Sequence, residues 1–251
     1  MTESEYNAID AIRHSRLKVA GVSMKHYKHA LDNERADKPH FKFGRAVHCA
    51  VLEPLAFTSR YVLWDGGRRA GKTWTAFVEA TPGHDILTAT EWNDCMAMVE
   101  AVRSHPLAAS ILSKGEPEVT LTWQDKETGL CLKCRCDWAR PGIVVDLKTA
   151  TEGDFRDFSR AVAKYGYASQ AAFYSDGYAA VHGKTPHFVF IVVEKSAPFD
   201  CVVYELDDEA IASGRRSYRG LLEQVAACER FGRWPGRSDE LETLRLPSWA
   251  L

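Results

Sequence analysis

Between Glu116 and Thr149 the apolar residues fall into a period of two, and this stretch limits what the rest of the chain can build. EVTLTWQD alternates, ETG makes a turn, LCLKCRCDWARP alternates again, and PGIVVDLKT is a short, nearly continuous apolar run. Alternation sends successive side chains to opposite faces of a strand. The pattern therefore predicts three consecutive strands, the third central because it is apolar on both faces. Into that third strand the sequence sets Asp146 and Lys148. At i and i+2 they share a face, while Val145 and Leu147 point into the core. A carboxylate and an ammonium on a buried strand must be paired, hold a metal or do chemistry.

The flanks change period. Upstream, 3.6-residue spacing predicts helices over Tyr6–Val19, Met24–Leu31 and Phe43–Leu52, and Pro54 follows the last of these. Thr88 with Glu91 three residues on is a capping box opening a long helix that runs to His105, just before Pro106. Downstream, residues 154–182 read as helix, HFVFIVVEK and FDCVVYEL as two more strands, and Asp207–Phe231 as a long final helix. This order predicts an α/β or α+β fold with a central mixed sheet flanked by helices. One domain is expected over residues 1–251: a mainly helical part to 115, a sheet core over 116–206, and a helix with a tail over 207–251.

Composition narrows the class. A chain of 251 residues with 45% hydrophobic and 26% charged residues buries a real core, which excludes disorder, collagen and repeat arrays. Its 32 basic residues against 34 acids give a net charge of −2, so any nucleic-acid surface must be local. No apolar run reaches the length of a membrane helix, and the seven cysteines form no secreted-domain framework. A soluble cytoplasmic protein without structural disulfides or a membrane partner is expected.

Asp137 ends the second strand, and the turn at Arg140-Pro141-Gly142 folds it back toward Asp146. Two carboxylates near one ammonium suit a hard divalent cation, and the chemistry such an ion supports is hydrolysis of a phosphate ester. A plain cross-strand ion pair is the simpler alternative. Gln170 and Tyr174 lie at i and i+4 on one helical face, where an amide and a phenol can bind a phosphate or merely decorate an amphipathic surface. His48 interrupts an apolar helix face, as a metal ligand or as a core histidine.

Taken in order, FGRAVHCAVLEP, CRCDWARPG, VVDLKT and YGYASQAAFY resemble the PD-(D/E)XK nuclease superfamily, with the nearest likeness to recombination exonucleases of the exonuclease VIII (RecE) type. The likeness runs from about Phe41 to Tyr178. It implies His48, Asp137 and Asp146 as metal-binding residues, Lys148 as the catalytic lysine, and Gln170 and Tyr174 as the Q-x-x-x-Y motif. Glu118, at the start of the first strand, is a further candidate acid. Cys136 stands where the superfamily's name has proline. The resemblance further implies Mg²⁺ with Mn²⁺ as substitute, resection of double-stranded DNA ends from 5′ to 3′, a ring of three or four subunits, and a single-strand annealing protein as partner, in a bacterium or a phage-infected cell.

Two other readings stand beside it. GGRRAGKT, residues 66–73, spells the P-loop pattern and would make the chain a nucleotide-binding or hydrolysing protein. Alternatively it is a basic surface loop in which Arg68, Arg69 and Lys72 touch DNA phosphates. A non-catalytic DNA-binding module that keeps the nuclease fold is the third possibility. Cys131, Cys134 and Cys136 invite a metal reading, but on a strand the first two point to opposite faces and no adjacent His or Cys completes a tetrahedron. Members of the resembled superfamily that hold an iron–sulfur cluster have one cysteine before the core and three clustered after it, whereas here only Cys201 and Cys228 follow, so the resemblance implies no cluster. Arg215, Arg216, Tyr218 and Arg219, with the loop Phe231–Pro235, are candidates for DNA or partner contact. The apolar tail LRLPSWAL is expected to pack on the body or on another subunit.

Overall fold

A computed structural model describes residues 1–33 and 40–250. The side chain of Phe41, where the family likeness begins, lies outside the described residues. The chain opens with α1 (Glu3–Ala8), β1 (Ile12–Arg13), α2 (His14–Ala20) and α3 (Met24–Asp32). The single helix expected over Tyr6–Val19 is thus broken in two. Lys133 Nζ donates to the carbonyls of Tyr6 and Ile9, each at 2.7 Å, so these acceptors serve a tertiary contact where a continuing helix would bond them internally.

Next come α4 (His40–Leu52), α5 (Pro54–Arg60), β2 (Tyr61–Trp64), α6 (Lys72–Ala80), β3 (Asp85–Thr88), α7 (Ala89–Ser104) and α8 (Pro106–Leu112). The Thr88–Glu91 capping box forms in both directions and fixes the start of α7. Strands β2 and β3 pair in parallel as a separate two-stranded sheet. The alternating region gives β4 (Glu116–Gln124), β5 (Cys131–Arg140) and β6 (Ile143–Ala150). The helical region after it divides at Gly166, a left-handed residue, into α9 (Phe155–Tyr165) and α10 (Tyr167–His182). Then β7 (His187–Glu194), β8 (Cys201–Glu205) and α11 (Asp208–Phe231) complete the core.

The main sheet runs β1-β5-β6-β7-β8, with β4 also paired to β5. Neighbours β6 and β7 are parallel, whereas β4, β5 and β6 form an antiparallel meander, so the sheet is mixed. One face packs on α2, α3, α10 and α11 through Leu17, Tyr27, Val144, Phe173, Phe190 and Leu222. The other packs on α4 and α7 through Val47, Met98, Val102, Val145, Leu147 and Ile191. As the alternation demands, Val144 and Val145 serve opposite cores, and Cys134 is buried while Cys131 is exposed. Among the described residues no helix is long and apolar enough to cross a membrane.

The tail does not pack on the body of this chain: Leu241, Leu244 and Trp249 are almost wholly exposed. The loop after α11 does pack inward, its Trp234 ring stacked on Tyr27 and its Pro235 carbonyl accepting from Lys25 N–H. Three of the side chains considered for DNA or partner contact are likewise committed within the chain. Arg215 and Tyr218 both bind Asp176, and Arg219 grips Asp125 and Glu127.

Candidate active site

The site arises where strand pairing stops. On one edge β5 pairs with β4 along nearly its whole length. On the other it pairs with β6 only at Trp138, Ala139 and Arg140, and with β1 only at Leu132 and Lys133. Between these contacts, from Cys134 to Asp137, that edge of β5 has no ladder partner, because β6 turns away after Val145 to run beside β7. Asp137 and Asp146 flank the opening. Asp137 Oδ2 accepts a hydrogen bond from Leu147 N–H at 2.8 Å, which ties the two strands together across it.

Both faces of the sheet contribute to the opening. From α4 on one face His48 brings Nδ1 to 3.5 Å from Asp137 Oδ2. From α10 on the other face Gln170 donates from Nε2 to Asp146 Oδ1 at 2.7 Å and accepts from Lys148 Nζ at 3.3 Å. One amide thereby holds the acid and the lysine of the same strand face. Lys148 Nζ lies 2.5 Å from Asp146 Oδ2 and 4.5 Å from the centre of the Tyr167 ring. Glu118 falls between the Pro117–Trp138 and Val119–Cys136 pairs, beside Asp137, with φ at 53°, and its Oε2 is 3.4 Å from Arg135 Nη1. A left-handed glutamate costs about 1–2 kcal/mol, and strain of this kind collects at functional sites.

Burial dominates the electrostatics of the opening, and the acids add to it. Burial, then the nearby Asp146, pushes the Asp137 carboxyl up to about 7, against the pull of Lys148. Burial and then Asp137 raise Glu118 as well. Lys148 stays protonated, for although burial opposes its charge, Asp146 and Asp137 hold it above its ordinary value. His48 is lowered by burial and by Lys148, so its imidazole is neutral and its contact with Asp137 is not an ion pair. The Asp146 side chain is only 3% exposed, and its Oδ2 lies directly against the Lys148 ammonium, whose charge it stabilises. A buried carboxylate beside two carboxyls raised by burial and then by crowding fits a hard divalent cation, which takes oxygen donors and neutral imidazole. Among the described residues no three ligating side chains already stand close enough to hold such an ion, and the Lys148 ammonium lies against Asp146.

A mixed sheet whose strands part over acids and a strand lysine defines the PD-(D/E)XK nuclease class of folds. The chain belongs to the family described as PDDEXK-like domain of unknown function (DUF3799), whose model matches residues 14–247. A crystal structure from Eubacterium rectale, described as a "Putative exonuclease", covers 98% of this chain and 95% of its own at 16% identity, with a TM-score of 0.68. At that identity the likeness is one of fold. The structure of SSO0001 covers 52% of this chain and 68% of its own at 17% identity, but its TM-score of 0.29 carries no argument. No curated protein matches the chain.

The remaining sequence candidates are dispersed. Tyr174 lies close enough to Asp146 and Asp137 for their charges, after burial, to raise its phenol, yet its ring packs on Phe173 and Phe188 rather than on either acid. The P-loop-like segment does link a strand to a helix. That strand belongs to the two-stranded sheet, however, and α6 is nine residues long with none of them buried. Arg69 is committed to the Ile86 carbonyl at 2.8 Å and to Glu91 at 2.6 Å, whereas Arg68 and Lys72 are exposed. Tyr167, Arg135 and the splay itself escaped the sequence reading. Tyr167 stands three residues before Gln170, one turn earlier on the same helix, and that spacing was the one available signal.

Proposed function

We propose that the chain is a divalent-metal-dependent deoxyribonuclease that digests double-stranded DNA from its ends. The observation that carries this reading is the buried cluster of Asp137, Asp146 and Lys148 at the parting of β5 and β6, with the Asp137 carboxyl raised to about 7. His48, Asp137 and Asp146, with Glu118 as a further acid, are the residues that would hold the ion, Mg²⁺ or in its place Mn²⁺. When bound, such an ion neutralises phosphate charge and lowers the pKa of an attacking water.

The chain's own residues do the rest. Lys148, kept cationic, donates to the phosphate oxygens on which charge grows as the attacking water's oxygen bonds to phosphorus and the bond to the leaving sugar oxygen breaks. Gln170 fixes Lys148 relative to Asp146, and the Tyr167 ring, 4.5 Å from the ammonium, supports its charge. His48, neutral at physiological pH, keeps a lone pair for a ligand.

The RecE-type likeness supports the finer reading: 5′-to-3′ resection in phage-type recombination, a ring of three or four subunits around duplex DNA, and delivery of the exposed strand to a single-strand annealing protein. The test is incubation with linear and with closed circular duplex DNA, with Mg²⁺ and with EDTA. Loss of linear DNA alone, only with Mg²⁺, and its disappearance in Asp146→Ala are the expected results. Equal attack on closed circles removes the exonuclease assignment, and an inert wild-type protein in Mg²⁺ and Mn²⁺ removes the nuclease.

A further inference from the structure

Helix α9 follows the catalytic strand directly and ends one residue before the helix that carries Tyr167 and Gln170. It is strongly two-sided. Phe158 is buried and Ala161 and Val162 half-buried, whereas Phe155, Arg156, Ser159, Arg160, Ala163 and Lys164 face outward. Arg156, Arg160 and Lys164 recur every four residues, so they form one row about 6 Å apart along the axis. Among these outward residues none is acidic. Of the acids near the N-terminal end, Asp154 is used as the N-cap, Asp157 is half-buried and pairs with Arg160 at 2.8 Å, and Glu152 precedes the helix. Residues 152–164 hold three acids and three bases, and the two signs are segregated: the acids gather at the N-terminal end, and the outward row toward Lys164 is cationic.

Aromatic rings accompany the row and join it to the site. Phe155 is 74% exposed and Tyr165 46% exposed, which is unusual for rings that could have been buried. Lys164 Nζ sits 5.3 Å from the Tyr165 ring, Tyr165 lies 5.7 Å from Tyr167, and Tyr167 lies 4.5 Å from Lys148 Nζ. Lys18 adds a fourth cation at the same junction, donating to the Tyr165 carbonyl at 2.6 Å. An unbroken path of rings and cations thus leads from the reacting lysine onto the outer face of α9. Cations that track a phosphate backbone, interleaved with open ring faces, are what an unpaired strand requires, because the bases of a duplex are already stacked on one another.

We propose that the outer face of α9 is the track for an unpaired DNA strand, with its phosphates on Arg156, Arg160 and Lys164 and its bases against Tyr165 and Phe155. The proposal rests on the nuclease reading for the identity of the polymer and adds where one strand runs once it is separated from its complement.

Binding is read by fluorescence anisotropy on the full-length protein in EDTA, with a labelled oligothymidylate and a labelled blunt duplex as probes. The combined variant Arg156→Ala, Arg160→Ala, Lys164→Ala is expected to bind the oligothymidylate about tenfold or more weakly, with the slope of log affinity against log salt reduced by about 2. Tyr165→Ala should weaken it several-fold with the slope unchanged. Duplex affinity should change much less in both. A charge-matched control, Lys184→Ala, Arg230→Ala, Arg233→Ala, should stay within about twofold of wild type, which separates a track from a general loss of charge. Wild-type oligothymidylate affinity in the α9 variant, an equal loss in the control, an equal loss for duplex, or no oligothymidylate binding by wild type would each overturn the proposal. Hydrolysis in Mg²⁺ distinguishes the two readings: if the nuclease reading fails, wild type is inert while the binding difference persists. If the track fails, wild type cuts DNA and the binding difference is missing.

Discussion

Asp137 is where the cost of the site is concentrated. Its carboxyl titrates near 7 in the folded protein, because of burial and then Asp146, against about 3.9 in an unfolded chain. Between those values the folded state holds a proton that the unfolded state does not, so stability falls as pH rises from about 4 to about 7 and is level above that. In metal-free buffer Asp137→Asn should therefore melt higher than wild type at pH 8, and the gap should close toward pH 4. For a chain of this size each kcal/mol of relieved repulsion shifts the midpoint by about 2–4 °C. Mg²⁺ should raise the wild-type midpoint at pH 8 and leave the variant nearly unmoved; thermal melts at the two pH values, with and without the ion, check both. His48 separates ligand from core residue. Its side chain is 30% exposed. His48→Ala should accordingly weaken Mn²⁺ binding by about tenfold or more while costing only a few degrees of melting temperature. Unchanged Mn²⁺ affinity with a large loss of stability would return it to the core.

At the scale of elements, the long segments were readable and the short ones were not. Strands β4 to β8 and helices α7 and α11 lie where alternation, turns and capping residues predict them, because each buries a whole face and so imprints its period on the sequence. The two residues of β1 carry no period; they are strand only because β5 leaves an edge free beside them. The same holds for the site. The acids, the lysine and the glutamine were legible as residue types at strand and helix spacing. The Tyr167 ring beneath Lys148 and the left-handed Glu118 were not, since both depend on how strands and helices meet. Packing of α10 on α11 shows how close that meeting is: a Cβ on Gly214 would lie 2.2 Å from the Ala168 carbonyl oxygen, two residues before Gln170. Gly214→Ala should push α10 outward, destabilise the fold by about 1–3 kcal/mol, and cut hydrolysis beyond what stability explains, by displacing Gln170. Denaturant melts alongside kcat check this. For the P-loop-like segment, Lys72→Ala should leave hydrolysis intact and at most trim DNA affinity slightly; ATP hydrolysis that vanishes in this variant would instead make it a nucleotide site.

The whole molecule ties the segment around α1 to its central sheet through β5. Lys133, buried in β5, binds the carbonyls of Tyr6 and Ile9 and lies 4.6 Å from the Tyr6 ring, and Arg135 covers the same ring and reaches the Thr2 carbonyl at 3.0 Å. Removing Lys133 takes a charged donor from both carbonyls and leaves each its backbone donor, Ile9 N–H for Tyr6 and Ala11 N–H for Ile9, at about 1–3 kcal/mol in all. Lys133→Ala should speed proteolytic clipping near residue 10 and loosen Glu118 through Arg135, lowering hydrolysis while the far edge of the sheet, β7 and β8, keeps its hydrogen-exchange protection.

This tie also dictates an order of assembly on the ribosome. Tyr6 and Lys133 are 127 residues apart in sequence, so the segment around Tyr6 has nothing to dock on until β5 has been made. The free edge of β5 and the early apolar residues must then wait, exposed, for each other. A nascent chain of this kind holds Asp137 and Asp146 apart until β5 and β6 have both been made and Asp137 accepts the Leu147 N–H across them.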